Sequence, residues 1–346
     1  MSLVASQERP VVTVIVPMLN EQADIAECIE RIAAQTYGVD SLELVLIDSD
    51  SNDETIRVAV SAAQRCGISY RIGENPLRRT SIGLNVGLDL ANGRYVARVD
   101  ARSRIAVNYV DTFVEQLDRR PDVGVIGGAQ VACARSGRLV DRSIARALNN
   151  RWLMGLARYR RSRSSGPADT VWMGFFRAED LRALGGWDHA TALNEDYELN
   201  ERFRRAGALV WFDSSVRSGY LPRNRVRLVA RQYASFGRVK ADGWANGRRP
   251  APRQLVLLAL PPMAAVLAIG ALASFGIVPV IVPVLGLAVA FDLAGGAGPG
   301  SPLERIAGLV VNGIVGLSWW WGAAAGWFSS RRGRGPHAAL AARPTR

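Results

Sequence analysis

The stretch "ALNEDYELNERFRRAG", residues 192–207, gathers Glu195, Asp196, Glu198 and Glu201 within seven positions. The chain around it is basic, with a formal net charge of +12. A solvated helix face would explain the cluster, because acids and bases three or four residues apart pair along a helix. The alternative is a catalytic carboxylate at the mouth of a site, which helical spacing alone does not favour. More polar residues follow apolar runs elsewhere: Asn20 and Glu21 after "VTVIVPM", Asp48, Asp50 and Asp53 in "IDSDSNDET", and Asp100 and Arg102 in "RVDARS". Carboxylates so placed can hydrogen-bond a nucleobase or ribose, or hold a divalent cation through hard oxygen ligands.

The elements that must position these residues alternate. "VVTVIVPM", "LELVLID" and "RYVARVD" are apolar runs of strand length. Between them, "ADIAECIERIAAQ", "DETIRVAVSAAQRCG" and "RRTSIGLNVGLDLANG" have helical spacing, and the last two end at a glycine. Apolar strands alternating with helices predict an α/β fold with a mostly parallel sheet flanked by helices on both faces. Ligands of such sheets bind beyond the carboxyl ends of the strands, where the polar residues above fall. No GxGxxG follows the first strand and no GxxxxGK[ST] occurs, so neither a dinucleotide cradle nor a P-loop is present. A nucleotide diphosphate would have to be neutralised by a metal on Asp100 and by arginines such as Arg79 and Arg102.

Charge divides the chain. Residues 1–222 carry 28 Arg and 28 Asp+Glu, while residues 223–346 carry 15 Lys+Arg and 3 Asp+Glu. Nine arginines against one acid, Asp141, mark residues 135–163. Residues 223–253 hold nine Lys+Arg and one Asp, interleaved with Tyr233, Phe236 and Trp244. That composition predicts a basic amphipathic segment at a membrane interface. Residues 255–298 contain one charge, Asp292, and residues 306–328 none. A bilayer core of about 30 Å needs about 20 apolar helical residues, so the first stretch suffices for two crossings and the second for one. The expected division is 1–222, 223–253, membrane helices over 254–330, and an Arg-rich tail, 331–346. Trp319, Trp320 and Trp321 suit an interfacial belt. Three crossings from a cytoplasmic start leave the tail outside, while its five arginines favour the inside. Cys28, Cys66 and Cys133 have no CxxC spacing and fit a reducing compartment. "MSLVASQERPVV" has no signal-peptide pattern, so the α/β part is expected in the cytoplasm.

Six pieces occur in order: "VTVIVPMLNE", "VLIDSDSNDET", "ENPLRRTSIGLNVGL", "GRYVARVDARS", "GFFRAEDLRALGGWD" and "NEDYELNERFRRAG". Together they resemble the family-2 glycosyltransferases of the GT-A fold, and the membrane-attached succinoglycan-type branch that builds exopolysaccharide. The resemblance covers about residues 10–240. It implies that Pro17, Asn20 and Glu21 shape the nucleotide pocket, that Asp48 contacts the base, and that Asp50 lies beside it. It places Asp100 as the first Asp of the DxD motif, near ribose and metal, and Asp196 of "NED" at the position of the catalytic base. Glu195 would be its neighbour on the acceptor side, which "WMGFFR", with Trp172 and Gly174, would line. Arg231, Gln232 and Arg238 fall roughly where related enzymes carry Q/R-x-x-R-W. The DxD motif here reads Asp100-Ala101-Arg102, so the second carboxylate is missing. Either the metal, expected as Mg²⁺ or Mn²⁺, has fewer ligands, or Arg102 takes over part of the phosphate charge.

The expected function is inverting transfer of a sugar from a nucleotide-diphosphate sugar to a polyprenyl-linked or growing polysaccharide acceptor. It would take place at the cytoplasmic face of the cell membrane, in contact with membrane lipid and without nucleic acid. The competing reading is a binding module for anionic lipid or nucleic acid built on the Arg-rich segments. That reading leaves the charge-balanced α/β half and its acidic strand ends without a purpose.

Overall fold

The structure is a computed structural model that describes residues 11–150, 158–191, 194–245 and 300–331, with isolated positions between 247 and 298. In chain order, the first elements are β1 (Val12–Met18), α1 (Ile25–Ala33), β2 (Leu42–Asp48), α2 (Thr55–Arg65), β3 (Ser69–Glu74) and α3 (Thr80–Leu90). Next come β4 (Tyr95–Arg98), β5 (Ser103–Arg104), α4 (Tyr109–Arg119), β6 (Val123–Ala132), α5 (Leu139–Asn149) and α6 (Arg158–Arg161). Then follow β7 (Gly166–Pro167), β8 (Phe175–Arg177), α7 (Ala178–Ala183), α8 (Glu195–Arg205) and β9 (Leu209–Tyr220). The helices α9 (Val226–Ala245) and α10 (Pro302–Arg331) complete the described elements.

The chain divides into two compact units, 1–132 with 156–221 and 133–155 with 222–346. Residues 133–155 thus go with the C-terminal part rather than with the first 222 residues.

The first unit is built on one sheet in the order β3-β2-β1-β4-β8-β6-β9-β5, with β7 paired to β9. The strands β3, β2, β1 and β4 run parallel, as the βα alternation requires. β6 and β9 also pair in parallel, and β6 shares the direction of β4 because β8 is antiparallel to both, so six of the nine strands run one way and the sheet is mostly parallel, as expected, but mixed. β8 enters antiparallel between β4 and β6, and β5 and β7 lie antiparallel to β9. β8 spans only Phe175–Arg177, too short for a period to be read from sequence. Side chains alternate across the sheet. Val12, Val14 and Val16 bury one way with Ile29, Ile32 and Phe113, and Ile15, Val45 and Ile47 bury the other way with Leu84, Leu88 and Phe203. The α/β core is therefore two-faced, and its loops are free to carry polar groups.

In the second unit, α5, α9 and α10 pack together, with Arg142 of α5 paired to Glu304 of α10 at 2.7 Å. α9 and α10 approach through small residues. A Cβ on Gly322 would lie 1.9 Å from the Ala234 carbonyl oxygen, and one on Gly237 would lie 2.0 Å from that of Trp319. The remaining surface of α10 is apolar: Leu303, Ile306, Val310, Leu317, Trp321 and Phe328 are all exposed. At 100° per residue they fall within one narrow stripe. The three tryptophans share one level of α10 but face different ways, because adjacent helical residues differ by about 100°. Trp319 meets Trp244 at 6.3 Å between ring centroids, while Trp321 lies in the exposed stripe.

Among the described residues, α10 alone is long and apolar enough to cross a membrane. The two crossings expected within 255–298 and the tail beyond 331 lie outside the described residues. The helix contacts give a direct test. Gly322→Ala forces a methyl group into the α9 backbone and is expected to cost about 1–3 kcal/mol. Gly313→Ala, with nothing within 4 Å of the added atom, is expected to be neutral or to stabilise by up to about 1 kcal/mol. Thermal unfolding of the two variants in detergent should shift in that order.

Candidate active site

The carboxyl ends of the parallel strands form one edge. Because β8 is antiparallel to β4, the start of β8 lies at that same edge. Five non-glycine residues have positive φ among those described: Asn20, Asp50, Arg78, Met173 and Asn194. The first three follow β1, β2 and β3, Met173 precedes β8, and Asn194 immediately precedes α8. Asn and Asp tolerate this conformation, whereas for Arg78 and Met173 it costs roughly 1–3 kcal/mol. Backbone strain is concentrated where sequence places the polar residues.

The loops after β1 and β2 are zipped together. Asn20 N–H donates to Ser51 Oγ at 3.0 Å, Asn52 N–H to Asn20 Oδ1 at 2.9 Å, and Glu21 N–H to Thr55 Oγ1 at 2.7 Å. Burial pushes the Asp53 carboxyl up, but hydrogen bonds from the Thr55 hydroxyl and from the Thr55 and Gln22 N–H groups outweigh it and hold the carboxyl below the usual range. It is a loop fastener. Pro17 is the penultimate residue of β1 and pairs with Ile47. Asp48 ends β2 and is 7% exposed. One oxygen accepts from Ser51 N–H at 3.0 Å, and the other, Oδ1, has no partner among the described residues. A buried carboxylate oxygen left without a donor is costly unless a ligand supplies one. Asp50 pairs with Arg78 at 2.5 Å. Arg79 instead donates to the main-chain oxygen of His189 at 3.2 Å.

β4 ends in Arg98, which the sequence reading missed. Its N–H donates to Gly174 C=O at 3.1 Å. Its guanidinium donates from Nε to Asp100 Oδ1 at 2.9 Å and from Nη1 to Glu195 Oε1 at 2.8 Å and Asp196 Oδ1 at 2.7 Å. The Arg98 side chain is 9% exposed. Burial works against its charge, but Asp100, Asp196 and Glu195 outweigh it and hold the guanidinium firmly protonated. The signal was present in sequence: a charged residue inside the apolar run "YVARV" must find partners if buried. Which partners it finds is a tertiary fact, because Glu195 lies 97 residues away.

The Asp100 loop rests on Met173. Asp100 N–H and the Ser103 hydroxyl both point to Met173 Sδ, at 3.4 and 3.0 Å, and the Tyr109 hydroxyl donates to the Met173 carbonyl at 3.0 Å. Gly174 is buried under this loop: a Cβ there would meet the Phe176 ring at 2.4 Å. It contributes packing to the site and no side chain. Trp172 stands against Tyr220 with ring centroids 6.3 Å apart, and the Arg102 guanidinium lies 6.0 Å from the Tyr220 ring centre. Arg102 pairs with Glu21 at 3.2 Å. Burial opposes its charge, and Glu21, Tyr220 and Asp100 restore it. The site therefore brings together Glu21, Asp100, Arg102, Glu195 and Asp196 through Arg98 and its neighbours.

Asp196 is the most perturbed acid among the described residues. Burial pushes its carboxyl up to about 7; Arg98 pulls it down, while Glu195 and Asp100 push it further up. Its side chain still keeps 23% exposure, so a substrate hydroxyl can reach it even though packed protein removes most of its water. Glu198 and Glu201 pair with Arg202 and Arg205, each at 2.7 Å, as helical spacing predicts. The acidic cluster thus splits into two carboxylates on Arg98 and two on the helix surface.

No group of three His, Cys, Asp or Glu side chains is arranged to hold a metal ion by itself among the described residues. Asp100, 30% exposed, offers one oxygen that no described residue engages. Mg²⁺ is commonly held by one or two carboxylates plus substrate phosphates. The residues fit a divalent cation on those terms, with most ligands coming from the substrate.

Residues 13–184 match the family model described as Glycosyl transferase family 2. The chain belongs to glycosyl transferase family 2. It is similar to the succinoglycan biosynthesis protein ExoA of Rhizobium meliloti, 27% identical over 89% of this chain and 93% of that protein. Over 31% of this chain and 32% of the relative, it is 30% identical to a dodecaprenyl-phosphate galacturonate synthase of Rhizobium johnstonii. A mannosyltransferase of Pyrobaculum calidifontis, solved with GDP-Man and Mn²⁺, superimposes with a TM-score of 0.62 at 22% identity, covering 94% of this chain and 89% of that one. The fold is GT-A-like, and the protein is a glycosyltransferase rather than a binding module without catalysis.

A carboxyl raised to about 7, as on Asp196, is charged and able to take a proton only above that pH. Transfer by the family-2 enzyme is therefore expected to rise with pH to a plateau and to fall below an apparent pKa near 7. A pH profile of kcat/KM checks this, and an acid limb near 4 would place the base elsewhere.

Proposed function

We propose that the enzyme is an inverting transferase that moves a sugar from a nucleotide-diphosphate donor to a polyprenyl-linked or growing polysaccharide acceptor at the cytoplasmic membrane face. The observation that carries this reading is Asp196, an acid of raised pKa at the start of α8, joined through Arg98 to Asp100. The unpartnered Asp48 Oδ1 matches a nucleobase N–H, and Pro17, Asn20, Glu21 and Asp50 would shape the nucleotide pocket beside it. Arg102 exchanges Glu21 for the donor's phosphates. The acceptor hydroxyl attacks the anomeric carbon and gives its proton to Asp196. The bond from that carbon to the diphosphate oxygen breaks, and the electron pair leaves with the diphosphate. One base and one displacement give inversion. Asp100 would hold a Mg²⁺ or Mn²⁺ ion that neutralises the diphosphate.

Three features support the acceptor and the membrane. The relative from Rhizobium johnstonii is named for a polyprenyl phosphate and that from Rhizobium meliloti for a polysaccharide. α10 presents its apolar stripe over about 45 Å of helix, enough to enter a bilayer. Arg227, Arg231 and Arg238 are exposed at i, i+4 and i+11 on α9, a basic row suited to anionic headgroups.

The test is release of nucleoside diphosphate from UDP-, GDP- and dTDP-sugars by detergent-purified protein, with and without membrane lipid extract. Release that requires the extract and falls by about 10²–10⁴-fold in Asp196→Asn is expected; unchanged release in that variant removes Asp196 as the base. Metal binding gives a second check. Mn²⁺ alone is expected to bind weakly in calorimetry and to bind in the presence of UDP or GDP, with that gain lost in Asp100→Asn.

A further inference from the structure

We propose that Arg98 is a positioning residue of the transfer reaction, a buried guanidinium that sets the base Asp196 and the donor carboxylate Asp100 at a fixed separation. The inference rests on the assignment of Asp196 as base and adds the group that places it. Arg98 is the last residue of β4, where its N–H is tied to Gly174 C=O. It is also in register with Ile15 of β1. Its backbone therefore cannot drift relative to the sheet. From this anchor, Nε reaches the loop after β4 and Nη1 reaches the first turn of α8. Those segments are joined by nothing near in sequence, and Asn194 enters α8 through a left-handed conformation. Without a cation between them, Asp100, Glu195 and Asp196 would repel, and the first turn of α8 would move away from the donor edge.

Charge alone does not account for the arrangement. A lysine ammonium would neutralise the cluster equally well, but it is a point charge on a flexible stem. Only the planar fork offers Nε to one carboxylate and Nη1 to two others in one rigid plane. Arg98→Lys therefore separates neutralisation from positioning. A misplacement of about 1 Å at a reacting group costs on the order of 100-fold in rate.

The experiment compares wild type, Arg98→Lys, Asp196→Asn and the double variant. Nucleoside-diphosphate release is measured from the donor panel with undecaprenyl phosphate and lipid extract, and UDP and GDP binding with Mn²⁺ is measured by calorimetry. For Arg98→Lys we expect a fall in kcat of about 100-fold, with donor KM and nucleotide affinity within about threefold of wild type. The double variant is expected to be no slower than Asp196→Asn alone, because a misplaced base and an absent base are the same loss. Should Arg98→Lys fail to accumulate as folded, nucleotide-binding protein, Arg98→Gln, which removes charge and fork together, replaces it: a kcat loss of about 100-fold with nucleotide affinity kept supports the role of Arg98, and near wild-type turnover overturns it. Near wild-type turnover in Arg98→Lys with an inactive Asp196→Asn overturns the positioning role and leaves the base assignment standing. So does a double variant whose losses multiply. An active Asp196→Asn, or no donor turned over by wild type, overturns the base reading and this inference with it.

Discussion

Three carboxylates share one guanidinium at the carboxyl edge of the sheet, and much else in the first unit serves that contact. A buried cation is tolerable only when its partners approach with good geometry, and removing one partner leaves an expensive uncompensated charge. The β4 ladder fixes the Arg98 backbone, and Met173 props the Asp100 loop through its sulfur. The surface pairs Glu198–Arg202 and Glu201–Arg205 fasten the α8 helix behind its first turn. Burial, with the neighbouring Glu195 and Asp100 adding to it, pushes the Asp196 carboxyl up against the pull of Arg98.

The distribution of strain follows. Regular strands and helices supply rigidity, and all five non-glycine left-handed residues among those described sit at the edge that carries chemistry. Three are Asn or Asp, which pay little for that conformation. Arg78 and Met173 are the exceptions, and both are held by specific contacts: Arg78 to Asp50, Met173 to Asp100, Ser103 and Tyr109. A site whose loops are cross-linked in this way presents its ligand groups already oriented.

The second unit obeys different packing physics. α9 and α10 meet closely at Gly237, Gly322 and Gly326, where the facing backbone leaves no room for a Cβ, and side chains join them elsewhere, as at Trp244 and Trp319. Close approach of that kind brings dispersion and weak Cα–H contacts into play where large apolar side chains would hold helices apart. It also leaves the bulky residues Leu303, Ile306, Val310, Leu317, Trp321 and Phe328 of α10 exposed.

Much of the first unit was legible in the sequence. The apolar runs of β1, β2 and β4 and the helical spacing of α1, α2 and α3 mark their elements because burial on two faces demands continuous apolarity and one-sided burial demands a period near 3.6. The strand-end carboxylates followed from the same alternation. β3 escaped notice because as an edge strand its residues are mostly exposed, and β8 because three residues carry no period. Asp48, Asp100, Arg102, Glu195 and Asp196 could be picked out from the linear order of apolar runs and polar residues. Their contacts could not: that Arg98 rather than a surface arginine holds Glu195 and Asp196, that Asp50 takes Arg78 and not Arg79, and that Asp48 keeps an oxygen unpaired among the described residues are facts of the fold. Local sequence sets periodicity and chemistry through short-range sterics and solvation. Partner choice across nearly a hundred residues is set by where the sheet brings the ends of its strands.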